Sequence, residues 1–149
     1  MGDSNGILPL VGWREAVGLP ELGLVGLAAK IDTGAQTSSL HALAAECFER
    51  DGQEWVRFLL DLGEGHAPRE CIAPHVEHRS ITSSNGVSEQ RLVVKTRLVI
   101  GEFAFRTEFS LADRSDMKYP MLVGRMALRR RFLVDPGRSW LLTQKPENQ

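Results

Sequence analysis

The sequence lacks several features that would place it in a specialised class of protein. It has only two cysteines, Cys47 and Cys71, too few for a disulfide framework, so we expect both to remain thiols. No hydrophobic run approaches the length that crosses a membrane. Residues 1–6 lack the basic and apolar regions of a secretory signal. These absences predict a cytoplasmic protein with no membrane partner.

An excess of charge of one sign is also missing. The 149 residues carry 18 Lys and Arg against 19 Asp and Glu, which gives a formal net charge of −1. This balance offers no electrostatic basis for direct nucleic-acid binding. With 42% hydrophobic and 25% charged residues, the composition indicates a single globular domain over 1–149, with flexible tails at 1–9 and 143–149.

Short apolar or alternating segments predict a mainly β protein. Each segment is bounded by Gly, Asp or Pro, and we expect strands over 24–31, 54–60, 91–100, 102–111 and 139–142. Only residues 125–132 offer consecutive helix formers, enough for one short helix. The expected architecture is a small closed or nearly closed barrel with one short C-terminal helix.

Two glycines indicate hairpin turns. Gly101 separates two β-rich runs, 91–100 and 102–111. The pair Asn85-Gly86 suits a turn that needs positive φ at both central residues, and the serines before it keep the hairpin tip polar.

The most informative segment runs from Ala28 to Ala35, where an apolar strand leads directly into Asp32, Thr33 and Gly34. A carboxylate at a strand end, beside a glycine that lets backbone N–H groups approach, can be held rigidly. Amide hydrolysis needs both a base and an acid, and two carboxylates about 3 Å apart share one proton and supply both. The chain has a single Asp-Thr-Gly, so such a pair requires a homodimer.

Asp32-Thr33-Gly34-Ala35 resembles the active-site motif of the retropepsins, the homodimeric aspartic peptidases of retroviruses. A glycine-containing hairpin and then two hydrophobic residues and a glycine, 121–125 here, follow in the retropepsin order. The resemblance implies that Asp32 is catalytic, supported by the Thr33 hydroxyl across the dimer axis, the close-approach residue Gly34, and Ala35. It further implies a flap and groove that bind a peptide substrate through Ser84, Asn85, Gly86 and Arg125, without a cofactor.

The chain also resembles a bacterial family that carries the name ATP-dependent zinc protease and is regarded as retropepsin-like. The similar stretches span nearly the whole chain, among them 12–15, 30–35, 38–42, 113–122 and 134–136. That family is associated with glutamate-ligating ATP-grasp enzymes. The resemblance implies an aspartic endopeptidase that trims glutamates from a modified ribosomal protein tail.

Other interpretations remain open beside this one. A noncatalytic peptide-binding module is the main alternative. A zinc-dependent hydrolase is weaker because the sequence has no His-Glu-x-x-His run, and the lack of a phosphate-binding loop argues against an ATP requirement. Cys71, His75 and His78 form the nearest metal pattern but lack an evident fourth ligand, so we predict no metal. Ser38 and Ser39 lack a nucleophile motif and are expected to brace the strand after the Asp32 turn.

Arginines near the C-terminus could favour an acidic substrate. Lys118, Arg125 and 129–131 would do so if they faced a binding groove. A solvated helix face is the alternative for 129–131.

Overall fold

The structure describes residues 7–63, 65–82, 85–113 and 118–146, and this part of the chain is built mainly from strands. The computed structural model has ten β-strands there, a 3₁₀ turn at Pro20–Leu22 and one α-helix, α1, at Arg125–Leu128. The strands are β1 Leu10–Gly12, β2 Arg14–Leu19, β3 Leu24–Ile31, β4 Ser38–Arg50, β5 Gln53–Leu60, β6 Arg69–Thr82, β7 Ser88–Ile100, β8 Phe103–Ala112, β9 Met121–Val123 and β10 Leu133–Asp135. The predicted mainly β class is confirmed.

Eight of these strands form a roughly closed ring. They hydrogen-bond in the order β2-β3-β9-β4-β5-β6-β7-β8, and additional pairings join β2 to β7 and β4 to β8. The β2–β7 contact, in which Val17 is opposite Ile100, closes the ring. The predicted closed or nearly closed architecture is therefore confirmed.

The strands enclose a single apolar core. In β5, the alternate residues Val56, Phe58 and Leu60 have no exposed surface, because the period of two directs them to the same face. Burial of such a side chain contributes about 1.5–3 kcal/mol to stability. Among the described residues, no helix has the length and apolar character needed to span a membrane.

Both predicted hairpins are present. Gly101, at φ 63°, lies in the turn between β7 and β8, as expected. In the β6–β7 hairpin, Thr82 pairs with Ser88, and Gly86 between them has the positive φ expected of it, 86°. The Asn85 side chain accepts a hydrogen bond from the N–H of Val87 at 3.1 Å, a local side-chain turn that Asn favours.

The helix is shorter than the predicted 125–132. It ends at Leu128, and a turn follows in which Arg130 adopts φ 66°. Arg131 lies with its guanidinium carbon 4.1 Å from the centre of the Phe105 ring. Arg129, Arg130 and Arg131 are all exposed, but this contact ties Arg131 to β8.

The predicted strand over 139–142 is wrong. The last strand is β10, which pairs in parallel with β1 through Leu10 and Leu133. Beyond it, the N–H groups of Leu141 and Leu142 donate to the buried carboxylate of Glu15, at 2.9 and 3.2 Å, instead of to another strand. A side chain on β2 thus takes the place of a neighbouring strand.

The first residue of the predicted C-terminal tail is also bound to Glu15. Thr143 donates its N–H at 2.9 Å and its hydroxyl at 2.6 Å to the same carboxylate. Thr143, which was expected to lie in a flexible C-terminal tail, is therefore anchored to β2.

Candidate active site

The Asp32 loop, defined as residues 32–37, connects β3 to β4 and is held by β9. Strand β9 lies between β3 and β4. It runs parallel to β3, with Val123 opposite Ile31, and antiparallel to β4, with Leu122 opposite Ser39. The N–H of Asp32 donates to the carbonyl of Val123 at 2.9 Å. Both ends of the loop are therefore anchored to the same strand, in the place that the retropepsin resemblance implied for residues 121–124.

The carboxylate of Asp32 is oriented by its own turn. Its Oδ1 accepts a hydrogen bond from the N–H of Gly34 at 2.9 Å. A Cβ at Gly34 would lie 3.1 Å from that oxygen, so glycine allows the close approach. Asp32 is half-buried, while Thr33 and Gly34 are exposed. A fixed carboxylate thus lies beside surface that a peptide or a second copy of the chain can reach.

The residues that follow β9 hold the Asp32 loop and the start of β4 through hydrogen bonds. The N–H of Gly124 donates to the buried hydroxyl oxygen of Ser38 at 2.9 Å, so the expected bracing role of Ser38 is confirmed. Arg125 donates its N–H to the Ala35 carbonyl at 2.7 Å and its Nη1 to the Thr33 carbonyl at 2.8 Å. Arg125, predicted to line the groove, is therefore next to the Asp32 loop and fixes its backbone.

Gly124→Ala is expected to distort this support. A Cβ at Gly124 would lie 2.8 Å from the Thr37 carbonyl carbon and 2.9 Å from the Ala35 oxygen, both backbone atoms. Such overpacking costs about 1–3 kcal/mol in the free energy of unfolding, measured by urea denaturation. Gly137→Ala is the matched control, because its Cβ would meet Asp135 Oδ1 at an ordinary 3.6 Å. Equal stability of the two variants would contradict the close packing at Gly124.

The predicted flap residues lie on a different element from the Asp32 loop. Asn85 and Gly86 are exposed at the tip of the β6–β7 hairpin. Ser84, also predicted there, lies outside the described residues. The assignment of this hairpin as a flap thus stays a prediction.

The environments of Ser38, Ser39 and Cys71 do not suit a catalytic nucleophile. Ser38 and Ser39 are buried and belong to β4. Cys71 is 4% exposed, and burial, with a smaller contribution from Glu70, raises the pKa of its thiol to about 11. A thiol with this pKa is protonated at neutral pH and a poor nucleophile.

The nearest metal pattern in the sequence was Cys71, His75 and His78, and the structure does not group Cys71 with the two histidines. Cys71 and His75 are four residues apart on β6, which separates them by about 13 Å along a strand. The structure instead brings Cys47 of β4 next to His75 and His78. Sequence spacing could not find Cys47, because the juxtaposition depends on the pairing of β4, β5 and β6.

Comparisons with known proteins agree with this fold. The sequence model of a family described as "RimB-like: Retropepsin-like aspartic endopeptidase RimB" matches residues 10–145. A solved structure, protein Lpg0085 of unknown function (DUF785) from Legionella pneumophila, superposes with a TM-score of 0.74 and 26% identity. The match covers 89% of this chain and 96% of that chain.

Curated relatives carry a different name. A "Probable alpha-L-glutamate ligase" from Shewanella pealeana is 38% identical over 138 residues, which cover 91% of this chain and 30% of that protein. One of the same name from Parasynechococcus marenigrum is 37% identical over 144 residues, 94% of this chain and 30% of that protein. The chain thus spans about 30% of the length of these relatives. Since the family model matches almost the whole chain, the protein belongs to the RimB-like family of retropepsin-like aspartic endopeptidases.

Proposed function

We propose that the protein hydrolyses peptide bonds in a homodimer, with the Asp32 carboxylates of two subunits sharing one proton. The observation that carries the proposal is the Asp32 carboxylate itself, held at the end of β3 by the Gly34 N–H within a loop anchored by β9. A preorganised carboxylate loses little energy to rearrangement during the reaction.

The chemistry requires the second carboxylate. The ionised member of the pair takes a proton from the attacking water, while the protonated member hydrogen-bonds to the peptide carbonyl. The departing nitrogen then receives a proton from the pair, which returns to its starting state. One Asp32 loop per chain supplies half of this machinery, so the two-fold axis must pass beside the loop.

The surface around the loop is suited to such contact. Thr33 and Gly34 are exposed, and Met126, whose N–H donates to the Gln36 carbonyl at 3.0 Å, is 46% exposed. An exposed methionine bound directly to the loop offers apolar area for a partner subunit. In the dimer, the hydroxyl of Thr33 would hydrogen-bond across the axis.

For the substrate, we propose a chain of glutamates added to a protein tail, with a ribosomal protein as the candidate. The curated relatives are named as glutamate ligases, and a peptidase specific for glutamates would oppose such a reaction. Exposed Arg125 and Arg129 supply positive charge at α1, whose first residues hydrogen-bond to the Asp32 loop, and exposed Lys118 supplies it just before β9. The β6–β7 hairpin would close over the bound peptide as the flap.

Cleavage of a peptide with a C-terminal run of glutamates tests this proposal. We expect mass spectrometry to show removal of glutamates, unaffected by a metal chelator, and at least about tenfold slower cleavage of the same peptide with a glutamine run. Equal cleavage of both tails would reject glutamate specificity. Binding of the peptide without any cleavage between pH 4 and pH 8 would reject hydrolysis in favour of a peptide-binding module.

A further inference from the structure

A cluster of Cys and His side chains lies on β4 and β6, away from the Asp32 loop along the chain. The ligand atoms of Cys47, His75 and His78 all lie within 4.8 Å of one another. We propose that these three side chains bind a Zn²⁺ ion that joins β4 to β6. This site is separate from the proposed hydrolysis, and its tests do not depend on activity.

A β-bulge creates the histidine pair. Residues three apart in a regular strand point to opposite faces, because side chains alternate with a period of two. In β6, however, His75 pairs with Val94 and Glu77 pairs with Val93, so the strand contains one extra residue between them. The extra residue returns His78 to the face of His75, and the ring centres are 5.2 Å apart.

Cys47 reaches this face from the neighbouring hairpin. Cys47 pairs with Val56 of β5, and Val56 pairs in turn with Ala73 of β6, so the three side chains point to the same face of the sheet. Ala73 and His75 are two residues apart on β6 and share a face. The cysteine and the histidines thus lie on one side of the β4–β5–β6 sheet, where the core ends.

His75 is the strongest indication of a ligand. Its side chain is only 9% exposed, and its Nε2 is buried without a hydrogen-bond partner among the described residues. A buried polar atom without a partner costs about 1–3 kcal/mol, which a metal bond would offset. Its Nδ1 lies 3.0 Å from Glu54 Oε1. A carboxylate at one ring nitrogen orients histidine so that the other nitrogen can bind a metal.

The ligand set favours zinc. One thiolate and two imidazoles match its preference for sulfur and nitrogen. Zinc–ligand bonds of about 2.0–2.3 Å hold tetrahedral ligand atoms about 3.3–3.8 Å apart. The three ligand atoms must therefore move roughly 1 Å closer together to bind the ion. Cys47 and His78 are exposed and can make this adjustment. Three protein ligands leave the fourth tetrahedral position to water or an external ligand.

Cobalt substitution in the full-length chain tests the site. Purified, metal-free protein under reducing conditions is titrated with Co²⁺, which in a tetrahedral thiolate site gives strong visible and near-ultraviolet absorption. We expect one equivalent to bind and one equivalent of Zn²⁺ to displace it. Absence of this spectrum, or a six-coordinate spectrum, would overturn the proposal.

Variants at exposed positions assign the ligands without disturbing the core. Cys47→Ser should abolish the thiolate band, and His78→Gln should weaken Co²⁺ binding at least about tenfold. Glu54→Gln should weaken it about 10–100-fold through His75. His66→Gln, at an exposed histidine outside the cluster, is the matched control and should bind as wild type. An unchanged thiolate band in Cys47→Ser would assign the metal to Cys71 and refute the site.

Discussion

Asp32→Asn is expected to lower peptide cleavage by about 10²–10⁴-fold while the protein stays folded. Asparagine keeps an oxygen that can accept the Gly34 N–H bond, but it cannot exchange a proton with water or with its twin across the dimer axis. The free energy of unfolding should change by less than about 1 kcal/mol. Cleavage rates and urea denaturation of the same preparations separate the two effects.

Asp51→Asn is the matched control for this substitution. Asp51 is exposed in the β4–β5 turn at φ 53°, a conformation that asparagine also tolerates. Its cleavage rate should equal that of wild type. Retention of cleavage by Asp32→Asn would contradict the role assigned to this carboxylate.

Mixed subunits extend the same prediction to the dimer. If both Asp32 carboxylates are needed, a dimer in which one subunit carries Asp32→Asn is inactive. Equal amounts of wild-type and Asp32→Asn subunits, after exchange, then retain about a quarter of the activity of the same total amount of protein when all of it is wild type. Retention of half the activity would indicate that each subunit acts alone.

The local geometry of the Asp32 turn follows from the sequence more directly than the sheet that carries it. Asp32-Thr33-Gly34 is a local signal, because the strand, the turn and the carboxylate are adjacent in the chain and Gly34 contacts Asp32 directly. Strand β3 was predicted with its observed bounds, Leu24–Ile31, since it is apolar and ends at an Asp-Thr-Gly turn. Local chemistry was sufficient in both cases.

The longest strands gave weaker signals. β4, Ser38–Arg50, includes Leu, Ala and Glu, which do not favour strands, and it contains a bulge near Ala44, at φ 53°. β6 contains Pro74 at the point where its partner changes from β5 to β7. Pairing between distant segments outweighs local preference here. The same long-range pairing produces the Cys47 and His75 contact, which residue spacing could not predict.

Glu15→Gln is expected to destabilise the protein by at least about 3 kcal/mol, although Glu15 is far from any predicted site residue in the sequence. The carboxylate has no exposed surface and accepts hydrogen bonds from Gly12 N, Leu141 N, Leu142 N, Thr143 N and Thr143 Oγ1. Glutamine presents an NH₂ group to some of these donors and leaves them unsatisfied. Because these bonds anchor 141–143 to β2, we also expect faster proteolysis at the C-terminus.

Glu21→Gln provides the matched control for Glu15. The Glu21 carboxylate is bound to Arg106 at 2.9 Å, but both side chains are more than 40% exposed. Exposed ion pairs contribute about 0–1 kcal/mol, so this variant should unfold close to wild type. A similar loss in both variants would show that Glu15 contributes no more than an ordinary surface charge.

The stability that Glu15 provides should disappear in acid. Burial alone raises the pKa of Glu15, but the hydrogen bonds from Thr143, Gly12 and Leu142 together lower it below its ordinary value of 4.5. A carboxylate with a lowered pKa in the folded state stabilises the fold fully above 4.5 and loses this contribution as the pH falls through the folded-state pKa. The difference in unfolding free energy between wild type and Glu15→Gln, measured in urea from pH 7 to pH 3, should therefore shrink below about pH 4.5. A constant difference across this range would mean that the ionised carboxylate is not what anchors the C-terminal segment.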